Sequence, residues 1–120
     1  MAAIVDIVDD DEAVRQALGL LIRAVGWQPR LFASGAEFLQ RVQAAPPHCV
    51  VLDLNMPGMN GAEVQERLAQ RQCRLPVVAI TAQPGSPLAS RAAAAGVRTV
   101  LEKPLHDGAL IAAIELALAA

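Results

Sequence analysis

Apolar and polar positions along this chain follow two rhythms that take turns, a short unbroken run and then a helical spacing. Ala3 to Val8 is an apolar run broken only by Asp6, and it ends in Asp9, Asp10 and Asp11. A run so short and so rich in Ile and Val predicts a strand buried on both faces. Val14, Ala17, Leu18, Leu21 and Val25 then recur at helical spacing, which turns Arg15, Gln16 and Arg23 toward water, and Gly26 supplies a stop. Gln28 to Ala33 predicts a second strand, with Pro29 suited to a sheet edge. Ser34 to Glu37 has the spacing of a capping box, and Phe38, Leu39 and Val42 form the apolar face of a helix that ends before Pro46 and Pro47. Cys49 to Leu54 predicts a third strand, apolar except for Asp53, followed by the loop Asn55 to Met59. Asn60 then caps a helix, with Glu63 three residues on and Val64 and Leu68 as its buried positions. Leu75 to Thr81 predicts the fourth strand. Ser86 and Pro87 make an N-cap and first-turn pair for an alanine-rich helix ending at Gly96. Val97 to Leu101 is the fifth strand, and Leu110, Ile111, Ile114 and Leu118 form the core stripe of a last helix capped by Asp107.

Single helices between strands require a parallel sheet, because each crossover must return the chain to the same edge. Right-handed crossovers put helices on both faces. Five such units predict a doubly wound α/β domain, a flavodoxin-like (βα)5 fold with strand order 2-1-3-4-5. The 120 residues suffice for one such domain, residues 1–120, with little room for an appended module. No internal repeat, low-complexity stretch or linker divides it. Hydrophobic residues make up 54% of the chain, which favours a buried core over disorder. The apolar runs are nonetheless shorter than a membrane span, and the N-terminus lacks the pattern of a secretory leader. A net charge of −2 gives no reason to expect binding of nucleic acid or a membrane by the chain itself. Cys49 and Cys73 stand far apart, outside any Cys-x-x-Cys motif, and are expected to be reduced thiols of a cytoplasmic protein.

In an open parallel sheet, ligands sit beyond the carboxyl ends of the strands, at the switch point between the first and third. The polar residues collect at that edge. Asp9 and Asp10 end strand one, Asp53 ends strand three, Thr81 ends strand four and Lys103 follows strand five. Carboxylates gathered in one cleft repel each other unless a cation joins them. An all-oxygen set suits Mg²⁺, and the spaced acids of a calcium-binding EF-hand loop are missing. Lys103 adds an ammonium able to hold a phosphoryl oxygen, and Thr81 a hydroxyl on the same side. A carboxylate nucleophile, a metal, an amine and a hydroxyl together are what phosphoryl transfer to an aspartate requires. His48 and Trp27 fall at the opposite edge. His106 lies nearer, with nothing to mark it as catalytic.

Four stretches carry a resemblance to a known family. They are Ile7 to Arg15, Leu52 to Gly61, Ile80 to Ala82 and Leu101 to Pro104. In this order and spacing they resemble the receiver domains of response regulators, the CheY-like superfamily, and FixJ-type receivers above all. The resemblance covers essentially the whole chain. It implies that Asp53 is the phosphoacceptor, and that Asp10 and Asp53 bind Mg²⁺ through carboxylates, Asn55 through its backbone carbonyl and Asp9 mainly through a water. It implies that Lys103 grips the phosphoryl group, that Thr81 moves toward it, and that the Lys103-Pro104 bond is cis. The implied donor is a sensor histidine kinase, and the implied output is a change in protein association, including homodimerisation, through helix four, strand five and helix five. The only reactions catalysed would be the domain's own phosphorylation and dephosphorylation. FixJ-like regulators join this domain to a DNA-binding module, which this sequence lacks, so it reads as a free-standing receiver or an excised piece.

The chain departs from the family at the position three before Lys103. Many receivers carry an aromatic residue there whose inward rotation couples phosphorylation to output, and Val100 has no ring to swing. The expectation is that signalling runs through the Thr81–Pro87 loop, including Ala82 and Gln83, and the alanine-rich helix. Asn55 and Gln83 flank the path of an attacking water, and neither is a carboxylate base. Three other readings compete. A haloacid-dehalogenase-type phosphatase wants a second aspartate as general acid where Asn55 stands. A flavodoxin-like nucleotide binder wants a glycine-rich phosphate loop where three acids follow strand one. A phosphorylation-independent pseudo-receiver, used only for docking, fits Val100 but not the retention of Asp10, Asp53, Thr81 and Lys103.

Overall fold

The computed structural model describes residues 2–119. In chain order its elements are β1 Ile4–Val8, α1 Glu12–Val25, β2 Gln28–Phe32, α2 Gly35–Val42 and β3 Cys49–Asp53. They continue with α3 Gly61–Gln70, β4 Val77–Thr81, α4 Pro87–Ala94, β5 Thr99–Glu102 and α5 Asp107–Ala119. All strand pairs are parallel and the sheet order is β2-β1-β3-β4-β5, the expected flavodoxin-like topology. β3 and β4 are buried along their whole length, which is why they read as unbroken apolar runs. Alternate residues serve opposite faces: Val50 and Leu52 join the cluster under α2, α3 and α4, while Cys49 and Val51 join the one under α1 and α5.

The helix starts are set by side chains that satisfy free backbone N–H groups. Asp11 accepts from Ala13 and Val14, Ser34 from Glu37, and Ser86 from Ala89 with Pro87 at the first position. Asn60 and Glu63 form the reciprocal capping box that their spacing predicts. Gly26 closes α1 in the left-handed region, at φ 102°.

Several sequence-based expectations need correction. The buried face of α1 is Leu18, Gly19 and Ile22, whereas Ala17 and Val25 are exposed. Gly19 sits there because Leu31 of β2 packs over it, 3.3 Å from where a Cβ would lie. β4 begins at Val77 and not Leu75. β5 begins at Thr99 and not Val97, since the Val97 N–H closes α4 on Ala92 O at 3.0 Å. Asp107 is the first residue of α5 and not its cap. The first helical bond, from Leu110 N–H at 3.1 Å, lands on His106 O. Asp6, read as an interruption of β1, is fully buried and ion-paired. Arg30 of β2 grips it at 2.6 and 3.0 Å and also donates to Ala45 O at 2.6 Å.

At the amino edge, His48 ties β3 to β1 by exchanging two bonds with the Ile4 backbone, at 2.8 and 2.9 Å. Trp27 lies at that same end, half-buried against the α1–α5 cluster. Both cysteines are free, and burial pushes the Cys49 thiol up to about 11. No helix of the described residues is long and apolar enough to cross a membrane.

Candidate functional site at the carboxyl edge of the sheet

Because β1, β3, β4 and β5 run parallel, the residues that end or follow them arrive at one edge. Asp9 continues the β1–β2 ladder through its N–H to Phe32 O at 3.1 Å, and this fixes the carboxylate beside the end of β3. It is 1% exposed. Its Oδ1 accepts the Asp11 N–H at 2.9 Å, while its Oδ2 is buried with no hydrogen-bond partner. Asp53, last in β3, is also buried, and its Oδ1 accepts the Asn55 N–H at 3.1 Å. Asp10 stands exposed at the rim. One carboxylate oxygen each from Asp9, Asp10 and Asp53 lies within 4.8 Å of the others.

Gly61 makes this approach of elements possible. Its N–H donates to Leu54 O at 3.0 Å, and a Cβ there would lie 2.6 Å from Asp53 O and 2.7 Å from Leu54 Cα. The glycine lets α3 start directly against the strand end that carries Asp53.

Lys103 is the only lysine among the chain's 10 basic Lys and Arg side chains. Its N–H extends the β4–β5 ladder to Thr81 O at 2.9 Å, and its ammonium lies 3.5 Å from Asp53 Oδ1. The Lys103-Pro104 bond is cis, as expected. Thr81, last in β4, is fully buried. Its hydroxyl donates to Asn55 Oδ1 at 2.7 Å and accepts the Gln83 N–H at 3.1 Å. Ala82 and Gln83 are exposed beside it, in the loop that leads to α4. Val100 stands apart inside β5, half-buried against the cluster under α2, α3 and α4.

Three carboxylates face a single ammonium at this site. Burial pushes the Asp9 carboxyl above the usual carboxylate range; the Asp11 hydrogen bond pulls it back in part, Asp53 and Asp10 add to the push, and Lys103 opposes them. An orphaned buried oxygen in an all-oxygen set of three carboxylates fits a small hard divalent ion.

Sequence reasoning missed Arg15. It was expected to face water, yet its Nη1 donates to Asp9 O at 2.8 Å and braces the acidic turn from α1. The available signal was position: a helix starting next to the acids brings its first turn back over them.

The sequence profile of the response regulator receiver domain matches residues 5–115. The chain belongs to the response regulator receiver family. This receiver is 36% identical to the response regulator protein TmoT of Ectopseudomonas mendocina over 116 residues, 97% of this chain and 53% of that protein. It is 36% identical to the transcriptional regulatory protein FixJ of Azorhizobium caulinodans over 114 residues, 95% of this chain and 54% of that protein. The crystal structure of FixJ-N aligns with a TM-score of 0.91 at 33% identity, covering 99% of this receiver and 95% of that chain. The receiver thus spans about half the length of the curated relatives it matches. Its place is in two-component signalling, with the FixJ-like character that its motifs suggest.

Proposed function

We propose that this receiver accepts a phosphoryl group on Asp53 from a phosphohistidine of a sensor histidine kinase, with Mg²⁺ as cofactor. The observation that carries this reading is the Asp53 carboxylate, buried at a strand end, grouped with Asp9 and Asp10 and 3.5 Å from the only lysine. An Asp53 carboxylate oxygen attacks phosphorus while the N–P bond of the donor breaks, and the imidazole leaves with that electron pair. Asp10 and Asp53 would hold the metal through carboxylates, Asn55 through its backbone carbonyl and Asp9 mainly through a water. When bound, Mg²⁺ supplies the positive charge that lets these acids and a phosphoryl group share one pocket. Lys103 holds a phosphoryl oxygen as a point charge, and the Thr81 hydroxyl turns toward another.

The consequence is altered association through the face formed by α4, β5 and α5, including homodimerisation, in a regulator of transcription. With Val100 in place of an aromatic ring, the signal travels through the Thr81–Pro87 loop into α4. The receiver turns over no separate substrate; it catalyses only its own phosphorylation and dephosphorylation. Intact-mass measurement after treatment with acetyl phosphate tests the reading. One added phosphoryl group is expected, dependent on Mg²⁺ and absent in Asp53→Asn. No uptake by the wild type would favour a docking-only module.

A further inference from the structure

The one proton of the Thr81 hydroxyl is already committed in this structure. It accepts the Gln83 N–H at 3.1 Å and gives its proton to Asn55 Oδ1 at 2.7 Å. A hydroxyl has one proton to donate. Asn55 is itself anchored beside Asp53, whose Oδ1 accepts its backbone N–H at 3.1 Å. An anionic group on Asp53 and the amide oxygen of Asn55 are therefore neighbouring acceptors competing for the same proton.

We infer that the Asn55 side chain is a latch on the switch: its amide oxygen holds the Thr81 hydroxyl in the resting orientation and sets the threshold for turning it. The inference rests on Asp53 as phosphoacceptor, and it gives the Asn55 side chain a role separate from that of its backbone carbonyl. A charge-assisted bond to a phosphoryl oxygen is roughly twice as strong as a neutral one, so the latch yields, but against resistance. Asn55 is exposed, so water replaces Thr81 once the hydroxyl leaves and no buried acceptor is stranded. The Gln83 N–H bonds to the same hydroxyl, and Gln83 O accepts from the N–H of Ser86, the cap of α4, at 3.1 Å. Releasing the latch therefore loosens a chain of bonds that ends at the start of the output helix. Asn55 acts through Thr81 and is a positioning residue.

A double-mutant cycle tests this, with beryllofluoride as phosphoryl mimic in the presence of Mg²⁺. The ¹⁹F signal of bound beryllofluoride reads affinity in the wild type, Asn55→Ala, Thr81→Val and the double variant. Labelled methyls of the chain's two threonines, Thr81 and Thr99, report the switch and the integrity of the fold. Asn55→Ala is expected to tighten beryllofluoride about fivefold, by removing one competing neutral hydrogen bond. Before beryllofluoride is added, it should already move the Thr81 methyl partway to its bound position, with Thr99 unmoved. In the Thr81→Val background the same substitution should change affinity less than about twofold, since no proton is contested there. An equal effect in both backgrounds, or none in either, overturns the latch while leaving Asp53 as acceptor. A wild type that neither binds beryllofluoride nor takes a phosphoryl group from acetyl phosphate brings down both.

Discussion

Asp6 lies within β1 and Asp9 just past its end, and both are almost wholly removed from water. Burial pushes both carboxyls above the usual range. From there they part. Both carboxylate oxygens of Asp6 are held, by Nε and Nη2 of the Arg30 guanidinium, and Nη2 also donates to the Ala45 carbonyl at 2.6 Å. Asp9 faces two more acids, keeps one oxygen without a partner, and shares a single lysine with them. The fold answers the charge of Asp6 from within the chain, while at the carboxyl edge one lysine faces three acids. That contrast predicts opposite responses to mutation and to added cation.

The largest effect is expected at the closed pair. Arg30→Met strands Asp6 in the core and should lower stability by about 3 kcal/mol in urea denaturation at neutral pH. Because burial raises the Asp6 pKa, the folded state binds its proton more tightly than the unfolded state does. That contribution is complete below 3.8 and disappears as pH rises through the folded value. The damage from Arg30→Met should therefore shrink on acidification, and a pH-independent loss would mean that Asp6 is not the stranded charge.

A smaller effect of opposite sign is expected at the open site. Mg²⁺ at ten times its dissociation constant should stabilise the wild type by about 1.4 kcal/mol. Asp9→Asn should lose most of that increment and yet be about 1 kcal/mol more stable than wild type without metal, since one of three crowded charges is gone. The sign follows from the raised pKa of Asp9: the advantage of the variant should grow as pH rises through the folded value and fade toward 3.8 and below. Thermal melts with and without EDTA check this, and an unstable metal-free Asp9→Asn would show that the wild-type carboxylate was already compensated. The exposed Glu66–Arg91 pair, 2.7 Å apart, calibrates the small end of the scale. Arg91 holds the Glu66 carboxyl below its usual range, but both groups lie in water, so Glu66→Gln should leave the urea midpoint unchanged.

Much of this was legible in the chain. Parallel strands buried on both faces announce themselves as apolar runs, and the caps at Ser34, Asn60 and Ser86 follow local rules that tertiary structure did not override. The acids, the hydroxyl and the lysine at the carboxyl edge follow from topology alone, because parallel strands leave their ends no other place to go. What escaped depends on contacts between elements. Asp6 resembled an interruption because its partner stands 24 positions away on the next strand. The Thr81–Asn55 bond joins the end of β4 to the loop after β3, across 26 positions. The α1 stripe was misjudged at Ala17 and Val25 because the helix meets Leu31 of β2 at Gly19, a residue with no apolar side chain to register in the pattern.

The scarcity of lysine has a practical side. Apart from the α-amino group, Lys103 carries the chain's only primary amine, and its side chain is 33% exposed. Acylating reagents and fluorescent esters, which spread over the surface of most proteins, would here converge on the α-amino group and the lysine beside Asp53. A single round of labelling would thus place a reporter 3.5 Å or so from the Asp53 carboxylate without any engineered cysteine.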